Sequence, residues 1–474
     1  MTGNRIALTG LILGVGFVQT RAAGQAPKVA LIPSDSAIRQ ILVDRIDKYR
    51  QGVGIVVGVI EPKGHRIVFY GKSGQNEQQS LNGDTVFEIG SITKVFTSLL
   101  LADMAQRGEL ALNDPVAKYL PPEVKVPERN GRRITLQDLA THTSGLPRDP
   151  ANISPRDPAN PAADYSTEQL YAFLSSYTLT REVGSRYEYS NLGTSLLGHA
   201  LAHRAGTGYE SLVVSRILNP IGMANTRISL SEQMRQRLAP GHSYMLERLP
   251  NWDMGALAPS GGLKSTANDL LEFLAVALSD RKSPLSQAMA TAIATRRPAG
   301  QPDRLAALGW EVLQLEPGYE FVFVSGATGG YRSFFGMDRG TRSGVVVLSN
   351  AATSSNVVDI GMHLLNPEIP LDDPKSWTAT KLRVAITVDP KSLARYAGRY
   401  RLPRGKTLTI TLEGDQLFEQ LSGEVKVPIY PESPVAYFCK LFDEQITFKV
   451  DSQGLATALT YVSNGTARPA QRIR

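Results

Sequence analysis

The sequence predicts an α+β fold, in which helices flank an antiparallel sheet, followed by a small all-β, barrel-like C-terminal domain. Three observations lead to this prediction. Runs of residues that favour strands occur near both ends of residues 27–365, whereas helical patterns dominate between them. The proline-rich segment 366–390 interrupts these patterns and predicts a linker. Beyond it, short alternating strands separated by turn residues predict an antiparallel barrel or sandwich over residues 391–474.

Length and composition agree with two globular units. The chain has 474 residues, of which 42% are hydrophobic, enough for a sizeable core. The net charge is +7, but Lys and Arg are scattered and no aromatic-basic surface accompanies them, so no nucleic-acid partner is expected. Cys439 is the sole cysteine of the sequence, which excludes an intrachain disulfide and a zinc-thiolate cluster.

The first 26 residues have the pattern of a secretory signal peptide. Arg5 closes a short basic region, residues 6–18 are apolar, and small residues at 22–26 offer a cleavage site. We therefore expect a mature protein that begins near residue 27 and is periplasmic or secreted, with an uncleaved membrane anchor as the alternative. No later apolar run reaches the roughly 18 residues of a membrane span, so no integral span is expected after signal removal.

Hydrophobic periodicity defines the elements of the first domain. The first helix is predicted to begin at a cap formed by Asp35 or Ser36. A Pro-Lys-Gly turn joins the first two strands into a hairpin. The Pro- and Asp-rich residues 146–166, which contain Arg-Asp-Pro-Ala-Asn twice, predict a surface loop. The predicted helices are 36–49, 93–105, 168–177, 194–204 and 267–278, and the predicted strands are 53–60, 67–71, 321–324, 332–337 and 344–349.

The C-terminal domain is predicted from period-two alternation alone. Its strands are short, and Gly, Asp or Pro turns separate them, which is typical of a small antiparallel barrel. The predicted strands are 400–411, 415–420, 425–430, 437–442, 445–450 and 456–462.

Ser91 and Lys94 lie three residues apart at the start of a predicted helix, in the stretch Phe-Glu-Ile-Gly-Ser-Ile-Thr-Lys at residues 87–94. Positions i and i+3 share a helix face, so the Lys94 amine can lie against the Ser91 hydroxyl and take its proton. The helix N-terminus would favour an anionic oxygen and a lowered lysine pKa. Taken alone, this spacing also fits Ser91 as an ordinary helix cap.

Two further motifs add functional groups. Tyr189 supplies a phenol that can relay protons, and Asn191 supplies an amide that can bind a carbonyl group. Residues 325–331, Ser-Gly-Ala-Thr-Gly-Gly-Tyr, lie between two predicted strands, where small residues let the backbone approach a ligand closely. Alone, these motifs would be a turn before a helix and a bulged hairpin.

In this order and at these separations, the residues resemble the class C β-lactamase family and its relatives among penicillin-binding D-alanyl-D-alanine peptidases and esterases. The resemblance covers about residues 36–365 and implies a β-lactamase/transpeptidase-like fold. The C-terminal residues are similar to a lipocalin-like β module that is often appended to such hydrolases.

The resemblance implies a two-step acyl transfer to water, without metal or organic cofactor, on a small-molecule substrate: a β-lactam, a peptidoglycan stem peptide or an ester. Ser91 would attack the carbonyl group, Lys94 would act as its base, and Tyr189 would pass protons to the leaving group. The oxyanion would lie between the backbone N–H groups of Ser91 and Ala327. The substrate-binding residues that the resemblance implies are Asn191, Ser325, Gly326 and Ala327.

Val324 occupies the position where the family usually has Lys or His. That cation receives a substrate carboxylate, and such a charge-assisted hydrogen bond is worth about 1.5 to 3 kcal/mol, or about 10- to 150-fold in affinity. Arg332 or Lys264 could supply the missing charge, or both could simply face solvent. Three functions therefore stay open: a β-lactamase or D-alanyl peptidase, an esterase on small acyl esters, and a penicillin-binding sensor that acylates without turnover.

Histidine is not expected to carry the chemistry. His142 is predicted to stabilise a turn near the site rather than to act as a general base. His199 and His203 have the i, i+4 spacing of metal ligands but lack a third ligand, which favours packing or surface positions. The sequence has no Gly-x-Ser-x-Gly motif, so an α/β-hydrolase triad lacks its nucleophile.

Overall fold

The structure is a computed structural model. It describes residues 32–73, 80–278, 282–316, 319–377, 383–424, 426–463 and 465–473. The predicted signal peptide, residues 1–26, lies outside these residues. Within the described ranges, the helices are too short or too polar to cross a lipid bilayer.

Strands from both ends of the first 377 residues form one antiparallel sheet, as predicted. The order of strands is β2-β1-β12-β11-β10-β9-β8-β7, with the N-terminal hairpin joined to the rest through the pairing of β1 with β12. The remaining strands pair in two short two-stranded sheets. The strands are β1 Gly54–Glu61, β2 Gly64–Gly71, β3 Phe87–Glu88, β4 Gly241–His242, β5 Arg248–Leu249, β6 Lys264–Ser265, β7 Arg296–Pro298, β8 Arg304–Ala307, β9 Glu311–Glu316, β10 Tyr319–Ala327, β11 Arg332–Asp338 and β12 Ser343–Ser349.

The predicted helices are present with small shifts at their ends. The first is capped by Ser34, not by Asp35 or Ser36, and it continues into a π-helical turn at Asp44–Lys48. The helices are α1 Asp35–Val43, α2 Thr93–Gln106, α3 Leu136–Ala140, α4 Thr167–Ser176, α5 Asn191–Ala205, α6 Tyr209–Val213, α7 Asn219–Ile221, α8 Glu232–Gln236, α9 Ala258–Gly261, α10 Ala267–Ala277, α11 Ser286–Ala294 and α12 Val358–Leu365.

Helices cover both faces of the main sheet. Alternate residues of β1 point to opposite faces, so Val57 packs in the core cluster that contains α1 and α12, whereas Val56 packs in the cluster that contains α2 and α10. The same alternation along β10 puts Phe323 on the α1 face and Val324 on the α2 face. Val324 therefore lies on the side of the sheet that carries Lys94.

The C-terminal strands close into a barrel of eight antiparallel strands, which confirms the predicted barrel-like domain. The predicted strand 400–411 is two strands, because Pro403 starts a 3₁₀ turn between them. The last strand was not predicted, since it contains Pro469 and two arginines, Arg468 and Arg472. The barrel strands are β13 Gly398–Arg401, β14 Thr407–Glu413, β15 Gln416–Leu421, β16 Val427–Pro431, β17 Ala436–Cys439, β18 Glu444–Val450, β19 Ala456–Ser463 and β20 Thr466–Ile473.

The barrel contacts the first region through β17. Phe438 packs with Tyr244 and Met245, and the Tyr244 hydroxyl donates to the Cys439 carbonyl at 2.9 Å. The linker at residues 366–390 stays a prediction; its described residues include a 3₁₀ turn at Pro374–Ser376.

Candidate active site

Ser91 lies on a 3₁₀ turn, Gly90–Ile92, that leads directly into α2, rather than within the α-helix itself. Gly90 has a φ of 50°, and a Cβ there would lie 2.7 Å from the backbone nitrogen of Ala327. A Cβ on Gly326 would lie 2.0 Å from the carbonyl oxygen of Ile89. These two glycines therefore let the turn that carries Ser91 pack against the end of β10.

Two proton-carrying groups contact the Ser91 hydroxyl. Lys94 Nζ lies 3.0 Å from Ser91 Oγ, and the Tyr189 hydroxyl donates to the same oxygen at 2.6 Å. Ser91 and Tyr189 are partly exposed, whereas Lys94 is 2% exposed. The hydroxyl is thus accessible from outside, while the amine lies sealed beneath it.

The contacts of Lys94 fit a neutral amine. Its Nζ donates to Asn191 Oδ1 at 2.8 Å and to the Ser260 carbonyl at 2.7 Å. A neutral amine has two N–H groups and one lone pair, so these two acceptors leave the lone pair for the Ser91 O–H. Burial, followed by the charge of Arg148, holds the pKa of Lys94 well below its usual value. The amine can therefore accept a proton from Ser91.

Tyr189 keeps its proton at neutral pH, since burial raises the pKa of Tyr189 to about 12. Its ring lies against His142, with 4.5 Å between ring centroids. His142 Nδ1 accepts a hydrogen bond from the Ser190 backbone N–H at 3.1 Å, and burial lowers the pKa of His142 to about 3. Neutral His142 thus fixes the chain at Tyr189, which agrees with the turn position expected for it.

Asn191 bridges Lys94 to a second polar group. While its Oδ1 accepts from Lys94, its Nδ2 donates to Asp149 Oδ1 at 2.8 Å. Arg148 lies over the ring of Tyr189, with the Arg148 Cζ 5.3 Å from the ring centroid. Its ion pair with Asp149 is long, at 3.5 Å, and its side chain is 34% exposed.

The sequence analysis missed Arg148 and Asp149 because it assigned the whole of residues 146–166 to a surface loop. That assignment holds for the second copy of the repeated pentapeptide, in which the side chain of Arg156 is 92% exposed. The first copy is also a loop, with Ala151 and Asn152 exposed, but its Arg148 and Asp149 are partly buried beside the site. The available signal was position, since the first copy begins six residues after His142, which is predicted to stabilise a turn near the site.

The end of β10 forms the wall opposite α5. The strand β9 pairs with β10 only as far as Phe323, so among the described strands residues 324–327 pair with β11 alone. Ala327 is exposed at this open edge, next to Ser91. Alternation puts the Ser325 side chain on the face of Phe323, away from Lys94, so Ser325 borders the site through its backbone.

Val324 lines a small cavity beneath Ser91. Its side chain is 6% exposed, and Lys94 and Tyr189 border the same space. Glu311 adds a partly buried carboxyl group, which pairs with Arg304 and whose pKa burial raises. The other residues around the cavity are His142, Tyr187, Ala306, Gly309 and Trp310.

Neither cation proposed to replace the missing charge is directed at Ser91. The Arg332 guanidinium donates to the carbonyl groups of Thr328, Tyr331 and Ala352 at 3.0 to 3.2 Å. Lys264 is 5% exposed, so it does not face solvent either, and β6 pairs it with Glu88. Contacts with other parts of the fold therefore hold the side chains of Arg332 and Lys264 in place.

The histidine pair of α5 is not arranged as a metal site. His199 Nε2 lies 2.8 Å from the Ala256 carbonyl oxygen, and His203 is exposed. The expected packing and surface positions are confirmed.

The first region and this site define a serine hydrolase, and comparison with known proteins gives its family. The family model described as Beta-lactamase matches residues 41–363, and a second model, described as a domain of unknown function, matches residues 382–471. The chain belongs to the Beta-lactamase family. This confirms the resemblance drawn from the motifs.

Similar proteins of known name fall into the expected classes. The chain is 33% identical over 322 residues to the D-alanyl-D-alanine-carboxypeptidase/endopeptidase AmpH of Escherichia coli, covering 62% of this chain and 80% of that protein. It is 24% identical over 435 residues to penicillin-binding protein 4* of Bacillus subtilis, covering 85% of this chain and 91% of the relative.

Solved structures agree. A class C β-lactamase from Rhodobacter sphaeroides is 25% identical with a TM-score of 0.61, and the match covers 71% of this chain and 99% of that one. A β-lactamase/D-alanine carboxypeptidase from Yersinia pestis is 27% identical with a TM-score of 0.58, covering 67% of this chain and 92% of that one.

Proposed function

We propose that Ser91 is the nucleophile of an acyl-transfer hydrolase, with Lys94 as its base and Tyr189 as the proton relay to the leaving group. The observation that carries this proposal is the pair of contacts on Ser91 Oγ, from Lys94 Nζ at 3.0 Å and from the Tyr189 hydroxyl at 2.6 Å. A serine hydroxyl becomes an effective nucleophile when a neighbouring base removes its proton as the new bond forms.

The proton inventory of the site supports this order of events. As the bond from Ser91 Oγ to the substrate carbonyl carbon forms, the Ser91 proton moves to Lys94. When the carbon–nitrogen bond breaks, Tyr189 donates its proton to the departing nitrogen and recovers one from Lys94. Water then attacks the acyl-enzyme by the reverse route. The backbone N–H groups of Ser91 and Ala327 stabilise the oxyanion.

We propose amides of the β-lactam and D-alanyl-peptide class as substrates. The names of the relatives from Escherichia coli and Rhodobacter sphaeroides support this class. The open edge of β10 at residues 324–327 supports it too, because an extended acyl group can add to a free strand edge through backbone hydrogen bonds.

Arg148 is the proposed receptor for the carboxylate of such substrates. Val324 carries no charge, whereas Arg148 lies over Tyr189 and holds Asp149 only through a contact of 3.5 Å. A guanidinium can bind a carboxylate through two hydrogen bonds, so the cation would reach the substrate from the side of α5 instead of from β10.

A second candidate function is hydrolysis of small acyl esters, which the apolar Val324 favours. A short ester has no carboxylate to bind, so the missing cation would carry no penalty. Under this alternative, Val324→Lys should shift the ratio of kcat/KM values towards β-lactams by about 10-fold or more. An unchanged ratio would contradict the importance given to Val324.

The test is a parallel assay of the wild type and Ser91→Ala on three substrates: a chromogenic cephalosporin, a D-alanyl-D-alanine peptide and a p-nitrophenyl ester of a short acid. We expect turnover of the first two that disappears in Ser91→Ala. Ester cleavage far faster than amide cleavage would replace the first candidate by the second. Equal activity of both proteins on all three substrates would overturn the assignment of Ser91.

We also propose that the protein is exported, on the strength of the signal-like residues 1–26. N-terminal sequencing of protein from the periplasmic or culture-fluid fraction should then begin near residue 27. Protein found only in the cytosol, with Met1 or its neighbour at the N-terminus, would contradict export.

A further inference from the structure

The interior of the C-terminal barrel contains a carboxylate among apolar side chains. Alternation along β15 points Leu417, Glu419 and Leu421 inward, and all three are buried. Leucine fits this position in a small barrel, whereas an ionised carboxylate there loses its hydration and needs a partner.

Two other strands bring acidic or thiol groups to the same place. Cys439 of β17 is fully buried, and Glu444 opens β18 on the inward side. The ligand atoms of Glu419, Cys439 and Glu444, hereafter the barrel cluster, all lie within 4.8 Å of one another. The convergence results from closure of the barrel, because the three residues belong to three different strands.

When the neighbouring carboxyl groups are ionised, Glu419 has no hydrogen-bond donor for its carboxylate. The residue is 2% exposed, and both of its carboxylate oxygens lack a donor in the described part of the chain. The nearest charges, those of Glu444 and Glu424, are also negative, and the side-chain hydrogen bond between Glu419 and Glu444 requires a proton on one of the two. A buried acceptor without a donor is costly, so the cluster requires a positive component, either a shared proton or a cation.

We propose that the barrel cluster binds one thiophilic divalent cation, of which Zn²⁺ is the type, through a Glu419 oxygen, the Cys439 thiolate and a Glu444 oxygen. Zn²⁺ binds such ligands tetrahedrally at about 2.0 to 2.3 Å, which separates ligand atoms by about 3.3 to 3.7 Å. Because the ligand atoms lie within 4.8 Å of one another, the side chains have to approach by up to about 1 to 1.5 Å on binding. On binding, the thiol and any protonated carboxyl group of the cluster lose their protons to solvent, and three negative ligands then face a charge of +2.

The surroundings of the barrel cluster suit a bound cation. The Tyr461 hydroxyl donates to Glu444 Oε1 at 2.5 Å, which fixes that carboxylate as outer partners of metal ligands do. The Leu441 backbone N–H donates to Cys439 Sγ at 3.4 Å, but burial and the two glutamates raise the pKa of the Cys439 thiol well above its usual value, so the cation itself has to stabilise the thiolate. Glu444 is partly exposed, which provides an access route, and a solvent molecule can complete the coordination.

A thiolate among the ligands selects the class of cation. Ca²⁺ and Mg²⁺ prefer oxygen ligands alone, whereas Zn²⁺, Co²⁺ and Cd²⁺ accept sulfur. A single cysteine excludes a zinc-thiolate cluster but not a mixed site of this kind, so this proposal departs from the expectation of no metal.

The experiment uses the full-length protein, stripped with a chelator and then titrated with Co²⁺ or Cd²⁺. Binding at Cys439 gives a thiolate-to-metal charge-transfer band that saturates at one equivalent, and Zn²⁺ should displace the probe. Glu419→Gln and Cys439→Ser should each weaken binding by more than the roughly 10- to 100-fold that loss of an outer partner costs. The matched control is Glu413→Gln, an exposed glutamate of the same barrel, which should bind as the wild type does.

Circular dichroism and hydrolase activity identify variants that fail to fold, and Glu419→Gln, which keeps the side-chain shape, is the decisive one. A wild type without a charge-transfer band would overturn the proposal and assign the cluster to a shared proton. Equal loss of binding in Glu413→Gln would overturn it as well, in favour of surface binding. Neither result bears on Ser91, since the barrel cluster takes no part in the proposed hydrolysis.

Discussion

Two buried polar clusters of this chain differ in how their hydrogen-bonding groups are matched. In the active site, Lys94 meets Ser91, Asn191 and the Ser260 carbonyl at 2.7 to 3.0 Å, so donors and acceptors balance. In the barrel, the acceptors of Glu419 and its neighbours exceed the donors around them. The first cluster is a complete hydrogen-bonded network, whereas the second needs a proton or a cation to balance its negative charge.

The difference bears on what each cluster can do. A balanced network holds Lys94 neutral and leaves one lone pair aimed at Ser91, which is a condition for taking up a proton. An acceptor-rich cluster lacks donors for its carboxylates, so it gains most from a proton or a cation that several ligand atoms share. Removing one group should therefore abolish catalysis at the active site, whereas removing one carboxylate should stabilise the metal-free barrel.

The largest effect is expected from Lys94→Ala. Loss of the base should lower kcat/KM by about 10³- to 10⁴-fold, since general bases contribute about 10²- to 10⁴-fold and the cavity adds disorder around Ser91. Steady-state kinetics on a chromogenic cephalosporin measures this, with Lys118→Ala as the control, because Lys118 is 59% exposed.

The pH profile separates a lost base from a damaged fold. Because Lys94 must be neutral to act, wild-type kcat/KM should rise with pH through the lowered pKa of Lys94 and then level off. In Lys94→Ala that rise should vanish from the residual activity. A residual profile of unchanged shape would assign the rise to another group.

A smaller loss, of about 10²- to 10³-fold, is expected for Tyr189→Phe. The change removes the hydroxyl that donates to Ser91 at 2.6 Å but keeps the ring against His142. Tyr171→Phe on α4 is the control and should retain activity. If Tyr189→Phe kept wild-type kcat, proton delivery to the leaving group would have to come from Lys94 directly.

Much of the fold could be predicted because its signals are local. Period-two and helical patterns identified the hairpin β1–β2, the helix α2 and most barrel strands. The short strands β7 and β8 were missed, since Arg296–Pro298 contains a proline and both depend on pairing with neighbours for their form.

The active site and the barrel cluster also differ in how far the sequence predicts them. The motifs of the active site are recognisable in the sequence, so a common site could be predicted for Ser91, Lys94, Tyr189 and Asn191. Ser260 contributes only a backbone carbonyl, which every residue has, so its type gives no signal. The barrel cluster has no ligand spacing along the chain and exists only because the barrel closes.

The duplicated pentapeptide offers a matched pair for the next prediction. Arg148→Ala should weaken binding of carboxylate-bearing substrates by about 10- to 150-fold, chiefly in KM, whereas Arg156→Ala should change nothing, because that side chain is 92% exposed. Assays belong on the high-pH plateau, since Arg148 also helps to lower the pKa of Lys94. An equal loss on a neutral ester would refute a role in binding the carboxylate.

The smallest effect concerns stability and tests the unmatched cluster directly. Burial raises the pKa of Glu444 to about 7 and that of Glu419 well above its usual range, so the metal-free barrel retains protons that the unfolded chain releases. The contribution of these groups to the free energy of unfolding is complete below about pH 4.5. It is lost as the pH rises through the raised pKa values, by about 1.4 kcal/mol for each pH unit between the unfolded-state and folded-state pKa of a group.

Glu419→Gln should flatten this dependence and stabilise the metal-free barrel above pH 7. Amide hydrogen exchange of barrel peptides in the presence of a chelator measures the effect locally, and Glu413→Gln should follow the wild type. Saturating Zn²⁺ should reverse the order, protecting the wild type but not Glu419→Gln, because only the wild type keeps all three ligands. Parallel pH profiles of both proteins without metal would mean that the carboxylate of Glu419 is satisfied by something other than a proton or a cation.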